Sequence, residues 1–104
     1  MGKKKEINEL TNILSKALAH KIGSIVNANK PYAEKYEKDT ISLTEIAREI
    51  VEARTWNVYD KRIIREELRK KLKNELEKRD FIDNKKFELI DEKVDEVLKL
   101  LKLN

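Results

Sequence analysis

The fold of this chain is decided by residues 57–80, which read NVYDKRIIREELRKKLKNELEKRD. Aliphatic residues recur in it at every fourth position, namely Ile64, Leu68, Leu72 and Leu76. A step of four residues advances about 400° around an α-helix, so these side chains form a slanting apolar seam. Tyr59 and Ile63 widen the seam at its start. The pattern predicts a long helix over residues 58–80, on which the rest of the chain packs.

The same helix carries a second stripe, which is basic. Its members are Arg62, Arg65, Arg69 and Lys73. They fall within about 80° of one another at about 100° per residue and are called the basic stripe below. One interpretation is a solvated surface, and the other is a surface that binds nucleic-acid phosphates or an acidic protein. Lys3, Lys4 and Lys5 would add a flexible basic arm over residues 1–5 to the nucleic-acid interpretation.

Two further apolar patterns predict helices near the ends of the chain. The first covers residues 5–28 and contains Ile7, Leu10, Leu14, Leu18, Ile22 and Ile25. The last covers residues 85–102, where Phe87, Ile90, Val94, Val97 and Leu101 recur at steps of three and four. The C-terminal leucines Leu98, Leu100, Leu101 and Leu103 exceed what one thin core needs. A homodimer is therefore a further prediction.

A third helix is predicted from its start signals. Ser42 and Glu45 form a capping box, in which the serine oxygen accepts from the amide of residue 45 and the carboxylate accepts from the amide of residue 42. Ile41 and Ile46 stand at the two positions of the accompanying hydrophobic staple. These signals predict that the helix covers residues 43–55.

The junction before the long helix has signals of its own. Asn57 is the predicted N-cap, and Asp60 lies in the first turn, where a carboxylate favours the positive end of the helix dipole. Trp56 is predicted to fill the core at this junction. Upstream, Pro31 can begin a short helix over residues 31–37, or the same residues can form an ordered loop.

Together the patterns predict an all-α fold. The predicted architecture is a small antiparallel bundle of four main helices, at residues 5–28, 43–55, 58–80 and 85–102, with the short helix near 31–37 as a further element. A chain of 104 residues is sufficient for one such domain over residues 1–104 and leaves little room for a second.

Composition sets limits on the function. The chain has 24 basic and 20 acidic residues and a formal net charge of +4, which permits nucleic-acid or acidic protein partners without requiring them. With no Cys and one His, disulfides and an ordinary zinc site are excluded, and no metal or cofactor is expected. No stretch resembles a signal peptide or a membrane span, so we expect a cytoplasmic protein without a membrane partner. The absence of Gln beside abundant Lys, Glu and Ile is typical of thermophilic proteins. The alternative is an AT-rich genome, which would give the same excess of Lys and Ile together with the eight Asn of this chain.

A run around the only histidine consists of His20, Ile22, Ser24, Val26, Asn27 and Ala28. In order and spacing, this run resembles the phosphoacceptor helix in the dimerisation domain of sensor histidine kinases. The resemblance implies that His20 accepts a phosphoryl group. Lys21 stands where the family has an acidic residue, and Ile25 stands where it has a proline. The alternative is that His20 is a solvent-exposed residue without a functional role.

Residues 43–50, LTEIAREI, resemble the first helix of a bacterial helix-turn-helix. In that motif an alanine, here Ala47, packs against a second helix that enters the major groove of DNA. Val51 stands where the turn usually has a glycine. The resemblance implies that four basic residues face DNA, namely Arg54, Lys61, Arg62 and Arg65.

Motifs for catalysis are missing from the sequence, which has neither a recognisable Ser-His-acid arrangement nor a Gly-rich phosphate loop. We therefore expect a small non-enzymatic helical binding module that contacts DNA or RNA through Arg54, Lys61 and the basic stripe. The alternative is a module for protein interaction or self-assembly, with no nucleic-acid role. Phosphotransfer through His20 is the outlying alternative.

Overall fold

The structure is a computed structural model that describes residues 3–26, 30–79 and 84–104, with the side chains of all of these except 30–37 and 84. The helical elements in these ranges are α1 (Lys3–Val26), α2 (Lys30–Glu52), α3 (Val58–Glu77), a 3-10 helix (Asn84–Leu89) and α4 (Ile90–Leu100). The same ranges contain no strand. The prediction of an all-α bundle with four main helices is confirmed.

The helix α1 is central to the bundle. Among the described elements, it alone has Cα atoms within 8 Å of every other element. It runs antiparallel to α2: Glu6 near its start pairs with Arg54 after the end of α2. Further along, the Ala17 carbonyl accepts a hydrogen bond from Thr40 in the middle of α2. The two helices are therefore in contact over most of their length.

The helix α3 lies on another side of α1 and runs parallel to it. Lys3 at the start of α1 pairs with Asp60 at the start of α3. Further along both helices, the Lys71 Nζ atom lies 2.7 Å from the Thr11 Oγ1 atom. No Cα atom of α2 lies within 8 Å of a Cα atom of α3. The two helices are therefore held together through α1.

The predicted seam of α3 is fully buried, as expected: Ile64, Leu68, Leu72 and Leu76 have no exposed surface. The expectation that the chain is arranged around this helix is wrong, because α1 occupies the centre. Small residues explain the difference, since Ala17, Ala19 and Gly23 are buried on α1 beside its large aliphatic residues. They widen the buried surface of α1 and allow neighbouring backbones to approach it from several sides.

The start of α3 agrees with the sequence. Asn57 Oδ1 accepts from the Asp60 amide at 2.8 Å, and Asp60 Oδ2 accepts from the Asn57 amide at 3.1 Å, which completes a capping box. Trp56 is half-buried against the core, and its indole nitrogen donates to the Val51 carbonyl at 2.8 Å. Tyr59 does not widen the buried seam and is exposed to solvent.

The observed bounds of α2 correct two of the helix boundaries predicted from the sequence. The predicted short helix at 31–37 and the predicted helix at 43–55 form one continuous helix, with Pro31 in its first turn. Ser42 is therefore an exposed residue within the helix and not an N-cap. Ile41 and Ile46 of the predicted staple are exposed. No strong helix breaker separates the two segments, so the capping sequence does not interrupt the helix.

The C-terminal segment differs from its prediction at both ends. Residues 84–89 form a 3-10 helix, and the α-helix itself covers 90–100. Leu98, Leu101 and Leu103 are buried within the chain, and Leu100 alone of the four C-terminal leucines is exposed. The surface on which the homodimer prediction rested is therefore mostly used inside the bundle.

Candidate nucleic-acid interface

The basic stripe lies on the solvent-facing side of α3, where its four members are exposed. α4 runs antiparallel beside α3 and brings two aspartates to the middle of the stripe. Arg65 Nη2 lies 2.5 Å from Asp95 Oδ1. Arg69 Nη2 lies 2.7 Å from Asp91 Oδ1. Half of the predicted stripe is therefore engaged in ion pairs between helices.

The two ends of the stripe, Arg62 and Lys73, have no ion-pair partner among the described residues. Lys73 borders a shallow groove of about 340 Å³ between α3 and the C-terminal segment, called the α3–α4 groove below. Its lining residues are Arg69, Lys70, Lys73, Phe87, Ile90 and Asp91. Phe87 and Ile90 are half-buried and pack against the core, so the groove combines an apolar floor with edges that carry three cations and one carboxylate.

The two other residues that were predicted to contact nucleic acid are Arg54 and Lys61. Arg54 follows the end of α2, and its Nη2 atom lies 2.7 Å from Glu6 Oε1 of α1. Lys61 is half-buried on α3. The structure therefore brings together the four residues of the basic stripe and does not add Arg54 to them.

The N-terminal lysines belong to a helix, because α1 begins at Lys3. Of the predicted basic arm, residues 1 and 2 lie outside the described ranges. Lys3 Nζ is 2.8 Å from Asp60 Oδ2. The hydrogen bond from Lys3, together with that from the Asn57 amide, holds the pKa of the Asp60 carboxyl below its usual value. Lys4 and Lys5 are exposed.

The helix-turn-helix resemblance does not extend to the tertiary structure. In that motif the two helices pack on each other. Here no Cα atom of α2 lies within 8 Å of one in α3, and among the described elements α1 alone approaches α2 so closely. Ala47 is buried, so its contacts serve the packing of α2 on α1. The geometry of a DNA-reading helix pair is therefore absent from this part of the chain.

His20 lies at the contact between α1 and α2. Its side chain is 19% exposed, and its Nδ1 atom lies 3.9 Å from Asp39 Oδ2. A phosphoacceptor role requires access for a phosphoryl donor, and most of the ring surface is covered here. Of the other residues in the resemblance, Asn27 and Ala28 lie outside the described ranges. Phosphotransfer through His20 stays a prediction.

One feature that the sequence did not indicate is an open groove of about 970 Å³ between the N-terminal halves of α1 and α3, called the α1–α3 groove below. Its lining residues are Lys3, Lys4, Lys5, Ile7, Asn8, Tyr59, Asp60, Ile63 and Glu67. The sequence pattern assigned Tyr59 and Ile63 to the buried seam. The exposure of Tyr59 could be inferred only with the position of α1 known.

The described residues contain no group of three or more His, Asp or Glu side chains that could hold a metal ion. None of the described helices is both long enough and apolar enough to cross a bilayer. Fold and surface together define a small all-α bundle with a stripe of basic residues along α3. In comparisons with known proteins, no family model matches the chain, and no curated protein or solved structure matches it.

Proposed function

We propose that this protein is a small helical module that binds nucleic acid through the basic stripe of α3. The observation that carries the proposal is the alignment of four exposed cationic side chains along one side of a rigid helix. Residues 62–73 extend over about 17 Å at 1.5 Å per residue. The phosphates of one DNA strand rise by about 3.4 Å each along the axis while they wind around it, so a straight stripe of this length can reach several of them.

The ion pairs to α4 leave the two central arginines available for exchange. In the Arg65–Asp95 pair the side chains are 45% and 54% exposed, and in the Arg69–Asp91 pair they are 49% and 69% exposed. Such solvated pairs contribute only about 0–1 kcal/mol each. A polyanion that contacts several cations at once, and that releases its counterions on binding, can displace them.

The test is the salt dependence of binding to labelled nucleic acid. Fluorescence anisotropy would be measured with a 20-nucleotide single-stranded DNA, the matching RNA and a 20-base-pair duplex, starting at 50 mM salt. For about four phosphates neutralised on the duplex, log K should fall with log salt concentration with a slope of about −3.6. If none of the three molecules binds at 50 mM salt, the proposal is wrong.

Variants with matched charge changes distinguish an effect of the stripe on binding from an effect of the net charge of the protein. Arg62→Glu with Lys73→Glu should weaken binding strongly. The control, Lys16→Glu with Lys21→Glu, makes the same charge change at exposed positions of α1. An equal loss in both double variants would show that only overall charge matters and would refute the role of the stripe.

The aspartates of α4 provide a test in the opposite direction. Asp91→Asn with Asp95→Asn should increase affinity, because Arg65 and Arg69 then have no carboxylate competitor. Glu9→Gln with Glu49→Gln removes two exposed acids from α1 and α2 and is the matched control. A gain no larger than that of the control would count against contacts between phosphates and these two arginines.

A further inference from the structure

The α1–α3 groove is separate from the basic stripe and has an apolar interior. Ile7 and Ile63 line it, and Tyr59 stands at its edge with 69% of its surface exposed. Tyrosine is among the residues that dominate binding energy at protein interfaces, because it offers a large, rigid contact area and a polar tip. The groove therefore combines buried aliphatic surface with an exposed aromatic anchor.

The charges around the groove are not balanced. Asp60 is paired with Lys3 at 2.8 Å. Glu67 lines the groove at its other end along α3, one turn before Lys71. Lys4 and Lys5 also line the groove and are exposed, and neither has an ion-pair partner among the described residues. The apolar interior is therefore bordered on the α1 side by two lysines that have no ion-pair partner in the described part of the chain.

We propose that the α1–α3 groove docks an acidic amphipathic helical segment of another protein. The apolar side of such a segment covers Ile7, Ile63 and Tyr59, and its carboxylates face Lys4 and Lys5. Along α3 the groove extends from residue 59 to residue 67, which is about 12 Å or two helical turns. Anchors at positions i, i+3 or i+4, and i+7 of a partner helix match that length.

Charge argues against a second copy of the chain as the occupant. A twofold dimer places the same surface patch of both subunits in contact. The lysines of the two subunits would then be brought together in one interface, and like charges in that arrangement are destabilising. An acidic partner gains from the same two charges, so charge complementarity selects a different protein with carboxylates beside its apolar residues.

The probe for the test is a synthetic 15-residue helical peptide with Leu at i, i+4 and i+7 and Glu on the flanking positions. Binding would be followed by amide chemical shifts of the ¹⁵N-labelled protein. The expected shifts map to α1 near Ile7 and to α3 between Tyr59 and Ile63. A peptide with Lys in place of every Glu should bind at least about tenfold more weakly, because charge complementarity is lost.

Variants of the groove should distinguish specific binding in the groove from non-specific hydrophobic binding. Tyr59→Ser, and Lys4→Glu with Lys5→Glu, should each raise the Kd for the acidic peptide by about tenfold or more. Carboxylates in the first turn of α1 suit its dipole, so the second variant keeps the helix. Ile46→Ser removes an exposed aliphatic residue from α2 and should leave Kd unchanged.

The proposal is overturned by any of four outcomes. Two of these are an absence of chemical shift changes at millimolar peptide and shift changes outside the groove. The other two are equal binding of the basic peptide, and displacement of the acidic peptide by self-association of the protein or by phosphatidylserine vesicles. The result is independent of the nucleic-acid proposal. Tyr59→Ser should not alter nucleic-acid binding, and Arg62→Glu with Lys73→Glu should not abolish peptide binding.

Discussion

Lys3 and Asp60 form an ion pair, with Nζ and Oδ2 2.8 Å apart, that joins the first turn of α1 to the first turn of α3. The same carboxylate caps α3 through the Asn57 amide at 3.1 Å, and the same ammonium lies 5.7 Å from the ring centroid of Trp56. Two parallel helices present like dipole ends at this point. The carboxylate of Asp60 places negative charge between them and favours their parallel arrangement.

This relationship predicts a pH-dependent loss of stability in Asp60→Asn. The Lys3 hydrogen bond keeps the folded-state pKa of Asp60 below its unfolded value of about 4. The stabilisation is therefore complete above about pH 4 and is lost as the pH falls through the folded-state pKa. Urea midpoints should be lower for Asp60→Asn than for the native chain at pH 7, and the difference should narrow below about pH 4.

The partner variant Lys3→Gln should reproduce the part of that loss that belongs to the ion pair, and the double variant should lose less than the sum of the two single variants, because both remove the same pair. Lys4→Gln, at the exposed neighbouring position, is the control and should leave the urea midpoint unchanged. A difference for Asp60→Asn that stays constant from pH 7 to pH 2 would contradict the electrostatic explanation.

A second prediction concerns Lys71, whose Nζ atom lies 2.7 Å from Thr11 Oγ1 and 2.8 Å from Asn8 Oδ1. Thr11 is fully buried, and Thr11→Val keeps its shape while removing the acceptor. The free energy of unfolding should fall by roughly 1–2 kcal/mol. Adding Lys71→Met should recover part of the loss, because no ammonium then faces the apolar Val side chain. Urea unfolding, followed by circular dichroism, measures the free energy of unfolding of the single and the double variant.

The pH dependence of Lys71 gives an independent check. Burial lowers the pKa of Lys71, and the charge of Glu67 opposes this. The folded state therefore binds fewer protons than the unfolded state just below pH 10.5, so stability should rise with pH there relative to Lys71→Met. If the double variant is as unstable as Thr11→Val alone, the contact is not the source of the loss.

The C-terminus of α4 predicts a stabilising substitution. Lys102 has φ of 60°, in the left-handed region. Its amide donates to the Lys99 carbonyl, and the Leu103 amide donates to the Leu98 carbonyl. This is a Schellman motif, which usually has glycine at that position. Lys102→Gly should raise the free energy of unfolding by about 1 kcal/mol, or Tm by roughly 4–8 °C. Lys102→Ala keeps the unfavourable φ and should give no gain in calorimetry.

The continuity of α2 predicts the sign of the effect of Ser42→Ala. In the interior of a helix, alanine should stabilise the protein by about 0.5 kcal/mol relative to serine at this exposed position. If Ser42 were an N-cap, the same change would cost about 0.5–2 kcal/mol. Asn57→Ala, at the observed cap of α3, is the positive control and should lower Tm. A destabilised Ser42→Ala would contradict a continuous helix.

Local sequence signals predicted the elements well where one physical cause dominated. The buried seam and the Asn57–Asp60 capping box both depend on contacts within a few residues, so spacing alone indicated them. The capping sequence at Ser42 failed because the same residue types are compatible with a helix interior. Thr44 Oγ1, for example, donates to the Thr40 carbonyl one turn earlier at 2.7 Å.

Of the candidate binding surfaces, the sequence predicted which cations share one side of α3 but not which of them are paired. The helical pairs Glu66–Lys70, Glu67–Lys71 and Glu75–Arg79 have equivalent spacing, yet only the last is an ion pair in the described residues. Lys71 instead donates to α1. Long side chains reach several acceptors, and the choice depends on which neighbouring helix lies within their range.

The sequence by itself determined four amphipathic helices, their apolar faces and the basic stripe, because these follow from the 3.6-residue period of the helix. Tertiary structure alone decided that α1 is the central helix, that Asp91 and Asp95 meet the stripe, and that Tyr59 remains exposed beside a groove. Those features depend on contacts between residues far apart in the chain. Such contacts are set by how several helices share one limited core, and no local period encodes that arrangement.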